Sequence, residues 1–174
     1  MLIYKDIFTD DEIISDTYKL IEVPGNVLWE VDCKQYMKGK VDFTLEGANP
    51  SAEEEDEGED EGEGKMVLDI EESFQLSKLE SKPSKDEFKK SLKSYIGRVN
   101  KKLKEQGAPE ADIKEFQTNG TAAFKKIVAN YDNYDVFFGA SFDPDGMWVL
   151  VDYREDGVTP YATFWRHGLK EMKV

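Results

Sequence analysis

Residues 53–63 read Glu-Glu-Glu-Asp-Glu-Gly-Glu-Asp-Glu-Gly-Glu, nine acids in eleven positions with no base. A run of like charge broken only by Gly buries no apolar area and repels itself, so it cannot join a core. The 48 residues before it are few for an independent core. The run is therefore expected to be a loop inside one domain, flexible from Asn49 to Lys65. The rest of the chain has to fold around it. The same run dominates the charge. The 174 residues carry 37 acids against 23 bases, a formal −14. Without the run, 28 acids face 23 bases and the balance is −5. A mildly acidic body argues against broad nucleic-acid binding, which needs a basic surface.

The clearest local order lies in residues 85–106. Phe88, Leu92, Tyr95, Ile96, Val99 and Leu103 are spaced 4, 3, 1, 3 and 4, one face of an α-helix. Ser84 with Glu87 three residues on is a capping box, and Gly107 suits the stop. The other face is cationic. Lys85, Lys89, Lys90, Lys93, Arg98, Lys101, Lys102 and Lys104 meet only Asp86, Glu87 and Glu105, a local net of +5. A second helix is expected after Ala108-Pro109-Glu110, with Pro at its first position. Its apolar stripe is Ile113, Phe116, Ala123, Phe124, Ile127, Val128 and Tyr131, with Gly120 as a point of kinking or close contact. The short connection makes the pair an antiparallel hairpin over residues 84–131.

The remainder reads as strand. Met1–Lys5, Tyr18–Val23, Val27–Asp32, Tyr36–Lys38, Val41–Leu45 and Val67–Leu76 are expected strands in the first part. Asp135–Phe142, Met147–Tyr153 and Tyr161–His167 form an expected meander, with turns at Asp143-Pro144-Asp145-Gly146 and Glu155-Asp156-Gly157. The class is α+β: a mainly antiparallel core from residues 1–48, 66–82 and 132–174, carrying the inserted hairpin and the acidic loop.

Enzyme signatures fail one by one. Gly62-Glu63-Gly64-Lys65-Met66 lacks the glycine spacing and the Ser or Thr of a phosphate-cradling loop. Gly139-Ala140-Ser141-Phe142-Asp143 lacks the second Gly of a nucleophile elbow. His167 has no base-and-nucleophile pattern tying it to Ser141 or Cys33, and no catalytic residue is expected. One Cys and one His exclude Cys- or His-rich zinc sites and an internal disulfide. No cofactor is expected. Asp143-Pro144-Asp145-Gly146 begins like a calcium loop, but its Gly comes too early and no closing Glu follows. A weak calcium site among Asp10, Asp11 and Glu12 stays open as an alternative. No apolar run approaches the length of a membrane span, and charge comes too early for a signal peptide. A cytoplasmic protein, nuclear as an alternative, is the expectation.

Several strings resemble one family. Gly47-Ala48-Asn49-Pro50-Ser51-Ala52-Glu53-Glu54 is similar to the first signature of the translationally controlled tumor protein family. Met1-Leu2-Ile3-Tyr4-Lys5-Asp6 and Asp11-Glu12-Ile13-Ile14-Ser15-Asp16 resemble its N-terminus. Phe138-Gly139, Pro144-Asp145-Gly146-Met147, the string from Asp152 to Tyr161 and Gly168-Leu169 resemble its second signature and tail. The resemblance implies a β-tent-like core, a protruding hairpin and a non-enzymatic, multi-partner protein. Implied partners are tubulin and microtubules, translation elongation factors and a Ras-like small GTPase, for which an exchange-helper or chaperone role is the alternative function. Implied roles are protein synthesis, growth, microtubule binding and calcium binding. Glu12 matches a family position implicated in GTPase contact, whereas Ala140 stands where the family usually has Glu. The family also resembles a zinc-bearing GTPase chaperone in fold, but the paired Cys motifs are missing here. Tubulin binding in the family is attributed to the hairpin. Its candidates here are Lys89, Lys90, Lys93, Arg98, Lys101 and Lys102.

Overall fold

The computed structural model describes residues 1–38 and 65–173, with Lys38 and Lys65 by their backbone alone. The expected strand Val41–Leu45 and the expected acidic loop lie outside the described residues. Lys65, expected to close that loop, opens a strand instead.

The elements are β1 (Leu2–Asp6), β2 (Glu12–Ser15), β3 (Ile21–Glu22), β4 (Leu28–Asp32), β5 (Gln35–Lys38), β6 (Lys65–Leu68), α1 (Asp69–Phe74), β7 (Ser77–Lys78), α2 (Lys85–Glu105), α3 (Glu110–Ala129), β8 (Asp135–Phe138), β9 (Val149–Tyr153), β10 (Pro160–Trp165) and β11 (Leu169–Lys173). Short 3-10 turns occupy Tyr131–Asn133 and Arg166–Gly168. A six-stranded sheet runs β3-β4-β10-β9-β8-β7, a three-stranded sheet β11-β1-β2, and β5 and β6 form a ribbon. Every pairing among the described residues is antiparallel. The expected α+β class and the C-terminal meander β8-β9-β10 are therefore observed.

β10 shows where the core lies. Its neighbours Phe164 and Trp165 point to opposite faces, yet they are 0 % and 2 % exposed. The sheet is covered on both sides. On one side Trp165 meets Phe116 of α3 edge to face. On the other, Phe164 pairs in register with Trp29, whose ring meets Tyr4 of β1 at 5.1 Å. Fully burying each large aromatic contributes about 1.5–3 kcal/mol.

The hairpin forms as its pattern requires. Phe88, Leu92, Tyr95 and Val99 of α2 and Phe116, Gly120, Ala123 and Ile127 of α3 are buried. Ser84 Oγ accepts the Glu87 N–H while Glu87 Oε1 accepts the Ser84 N–H, both at 3.2 Å. At the far end Gly107 takes φ +74°, and the N–H groups of Gly107 and Ala108 close on the carbonyls of Lys104 and Leu103. At the root, Lys82 Nζ donates to the carbonyls of Tyr131 at 3.0 Å and Tyr134 at 2.7 Å, and Phe88 stacks on Tyr131 at 4.1 Å.

Further expectations change: of the expected strands Tyr18–Val23 and Tyr161–His167, the first is reduced to Ile21–Glu22 and the second ends at Trp165. Val67–Leu76 is not one strand: it breaks at Asp69 into β6, α1 and β7. Ile70 and Phe74 share a helical face, and Asp69, Glu71 and Glu72 sit in the first turn, where acids are favourable. Pro109 is the N-cap of α3 and not its first residue, since its ψ of 142° is extended. The run Asp135–Phe142 ends at Phe138, and Phe142 lies in a turn at φ +54°. β2 and β11 were not expected as strands, and both pair with β1.

Gly120 marks no break, because α3 is continuous from Glu110 to Ala129. An added Cβ there would touch only the Phe116 ring, at 3.9–4.0 Å, ordinary van der Waals contact. Gly120→Ala is therefore expected to stabilise the protein by about 0.5–1 kcal/mol, read as a shifted denaturant midpoint. A lower midpoint would mean that the helices meet more tightly at that point than these distances allow.

Candidate functional site

Burying Phe88, Leu92, Tyr95 and Val99 fixes how α2 is rotated, and so fixes what it shows to solvent. At about 100° per residue, Lys89, Lys90, Lys93, Lys101 and Lys104 fall within about a third of the circumference. All five are exposed. They extend over about 22 Å of helix axis. None takes part in an ion pair among the described residues. Gly97 sits among them in open space and leaves the ridge low at its centre.

The other two candidates stand apart from this row. Lys102 is half-buried. Arg98 points elsewhere: its Nη1 donates to the Asp145 carbonyl at 2.6 Å, and its guanidinium lies 5.0 Å from the Phe8 ring and 5.7 Å from the Tyr95 ring. It fastens the helix to the 143–146 turn. Lys104 belongs to the row but was not among the expected candidates. Its spacing of 11 from Lys93 and 3 from Lys101 was the signal. Beside the ridge, Lys90, Ser91, Ser94, Arg98, Pro144 and Asp145 line an open cleft of about 220 Å³.

The candidate carboxylates of the β1–β2 turn have separate tasks. Asp10 pairs with Lys170 at 2.7 Å and Lys5 at 3.5 Å. The Lys170 partner first, and then Lys5, hold its carboxyl below the usual range. Asp11 Oδ2 accepts the Ser141 hydroxyl at 2.7 Å and the Ser141 N–H at 3.1 Å. Glu12 is exposed. Among the described residues no three His, Cys, Asp or Glu side chains converge as a metal group would require. The Asp11–Ser141 contact does bring the start of β2 against the 139–142 turn, so Glu12 and Ala140 flank one edge.

Reactive groups are insulated. Cys33 is buried, and burial pushes its thiol up to about 12, so it is not a thiolate nucleophile at neutral pH. His167 packs on Phe116 at 4.9 Å, and burial lowers its pKa.

Asp6 is 2 % exposed and accepts the Met147 N–H at 2.6 Å and the Phe8 N–H at 2.8 Å. Burial raises its pKa more than these bonds lower it. A carboxyl raised on folding stabilises fully below its unfolded pKa, and that contribution is lost as pH rises through the folded one. Stability should therefore decline from about pH 4 upward through that window relative to Asp6→Asn, measured by urea unfolding at stepped pH. A constant difference between the two proteins would show that Asp6 does not titrate in this way.

A family model described as translationally controlled tumour protein matches residues 1–170. Homologues of that protein from Aspergillus fumigatus and Yarrowia lipolytica are 57 % and 42 % identical to the chain, each over the full length of both sequences. Among solved structures, the chain is similar to the translationally controlled tumor-associated protein p23fyp of Schizosaccharomyces pombe, with a TM-score of 0.79, 37 % identity and full coverage of both. The Caenorhabditis elegans protein of that name superposes with a TM-score of 0.69 at 27 % identity, over 100 % of this chain and 99 % of that one.

Proposed function

This chain belongs to the translationally controlled tumour protein family, and on that premise we propose that it is a non-enzymatic cytoplasmic adaptor that docks acidic protein segments, the tails of microtubules first among them, on the α2 ridge. The observation that carries the reading is the row Lys89, Lys90, Lys93, Lys101 and Lys104, exposed and in no ion pair among the described residues. Like charges three and four apart destabilise a helix by about 0.2–0.5 kcal/mol per pair. Lys89–Lys93, Lys90–Lys93 and Lys101–Lys104 are such pairs. An anionic partner removes that repulsion on binding, and the field of five lysines steers its approach. Elongation factors and a Ras-like GTPase enter as further partners through family likeness alone.

The reading is tested by cosedimentation with microtubules before and after removal of tubulin's acidic tails. Binding at low salt that disappears with the tails is expected. Equal binding to tail-less microtubules would refute it.

A further inference from the structure

Phe142 is 50 % exposed at φ +54°, a left-handed backbone that bulky side chains seldom adopt. Asp10 also has positive φ, at 67°, but aspartate tolerates it. The segment holding Phe142 is stitched down on both sides. At one end, a Cβ on Gly139 would meet Asp11 Oδ2 at 2.6 Å, and Asp11 takes both donors of Ser141. At the other, a Cβ on Gly146 would meet Asp6 Oδ2 and Thr9 Cγ2 at 2.7 Å, and Asp6 takes the Met147 N–H. Between them the Pro144 carbonyl accepts Trp148 Nε1 at 2.8 Å and the Asp145 carbonyl accepts Arg98. The Phe142 N–H closes on the Gly139 carbonyl at 2.8 Å, and its ring leans on Phe138 at 5.1 Å. A half-exposed aromatic ring is thus held rigid at the apex of a braced turn.

The charge around it is acidic. Asp143 follows it, Asp145 lies two residues beyond, and Glu12 starts the strand that Asp11 fastens to the turn. All three are exposed, with no ion pair among the described residues. Three nearby cations are engaged, Lys5 and Lys170 on Asp10 and Arg98 on the Asp145 carbonyl, while Lys90 lines a cleft together with Asp145.

We infer that Phe142 is a preorganised anchor for a partner protein that receives the ring in an apolar pocket rimmed by lysine or arginine. Rigid aromatic anchors carry a large share of binding energy because little ordering remains to be done on association. The acidic rim selects the basic border of the pocket. This surface adjoins the α2 ridge at the cleft that Lys90 and Asp145 share, and it calls for the opposite charge in its partner.

The test installs benzoylphenylalanine at position 142 of the full chain and cross-links it in cell extract, with the same group at position 93 as reference. The cross-linked site is then mapped, and the captured protein is purified and titrated. Cross-links on one protein at an apolar site flanked by Lys or Arg are expected. Phe142→Gly should weaken binding of that protein at least tenfold while raising the thermal midpoint by about 2–4 °C, since glycine relieves the backbone. Lys89→Glu with Lys93→Glu should not weaken this affinity. Scattered cross-links, a cross-link to a second copy of this chain, a site without basic flanks, or unchanged affinity for Phe142→Gly would each overturn the inference.

Discussion

Replacing Gly168 by alanine is expected to destabilise the fold by about 3 kcal/mol, at the upper end of overpacking costs. Gly168 sits in the turn between β10 and β11, pressed beneath α2. A Cβ there would overlap the Tyr95 hydroxyl and come within 2.8 Å of Met147 Cε and 3.2 Å of Tyr95 Cζ. Tyr95 is 4 % exposed and packs edge to face on Phe8 at 5.7 Å, so it has nowhere to retreat. Its hydroxyl is buried with no hydrogen-bond partner among the described residues. Tyr95→Phe alone should therefore be neutral or slightly stabilising. Combined with Gly168→Ala it should recover part of the loss, a coupling that a double-mutant cycle measures. A cost below about 0.5 kcal/mol for Gly168→Ala would show that α2 does not bear on this turn as described. The contact also sets the seat of the helix that carries the ridge.

The second large effect concerns binding. Lys89→Glu, Lys93→Glu and Lys101→Glu together change the ridge by six charge units and touch no buried side chain. Folding stability should stay within about 0.5 kcal/mol of the parent, since exposed substitutions away from caps and core do little. Affinity for microtubules should fall about 100-fold, which is about 2.7 kcal/mol. That corresponds to about 0.9 kcal/mol per reversed lysine, the scale of an exposed ion pair in a network. Arg98→Ala provides a contrast. It would loosen the 143–146 turn through the lost Asp145 contact, and affect binding through structure and not through the row of charge.

The parts of the fold with a local cause were legible in the sequence. The hairpin is one: its stripe, capping box and stop residue each act within a turn or two of chain. The meander was legible for the same reason, because its turn residues and β-branched runs are local. β11 was not. Leu169-Lys170-Glu171-Met172-Lys173 is mostly charged, and it is a strand because it finds β1 more than 160 residues away. α1 was hidden inside an apolar stretch whose period changes at Asp69. At the site, the exposed lysines followed from the helical period once the buried face was known. The direction of Arg98 did not, since it depends on a carbonyl 47 residues on. Phe142 read as the end of a strand, and only the grip of Asp6 and Asp11 on the neighbouring backbone turns it outward. Asp10, Asp11 and Glu12 look like one acidic cluster in sequence, but Lys5, Lys170 and Ser141 draw the first two to separate partners.

The most direct measurement is a microtubule titration of the parent protein and the Lys89, Lys93, Lys101 charge-reversed variant, at about 50 mM and about 200 mM salt. Screening shortens the reach of charge as salt rises. The expected result is parent binding that weakens at least tenfold at the higher salt, and a variant that binds about 100-fold more weakly than the parent at the lower one. A variant that binds as tightly as the parent at low salt would contradict the docking of acidic partners on this ridge.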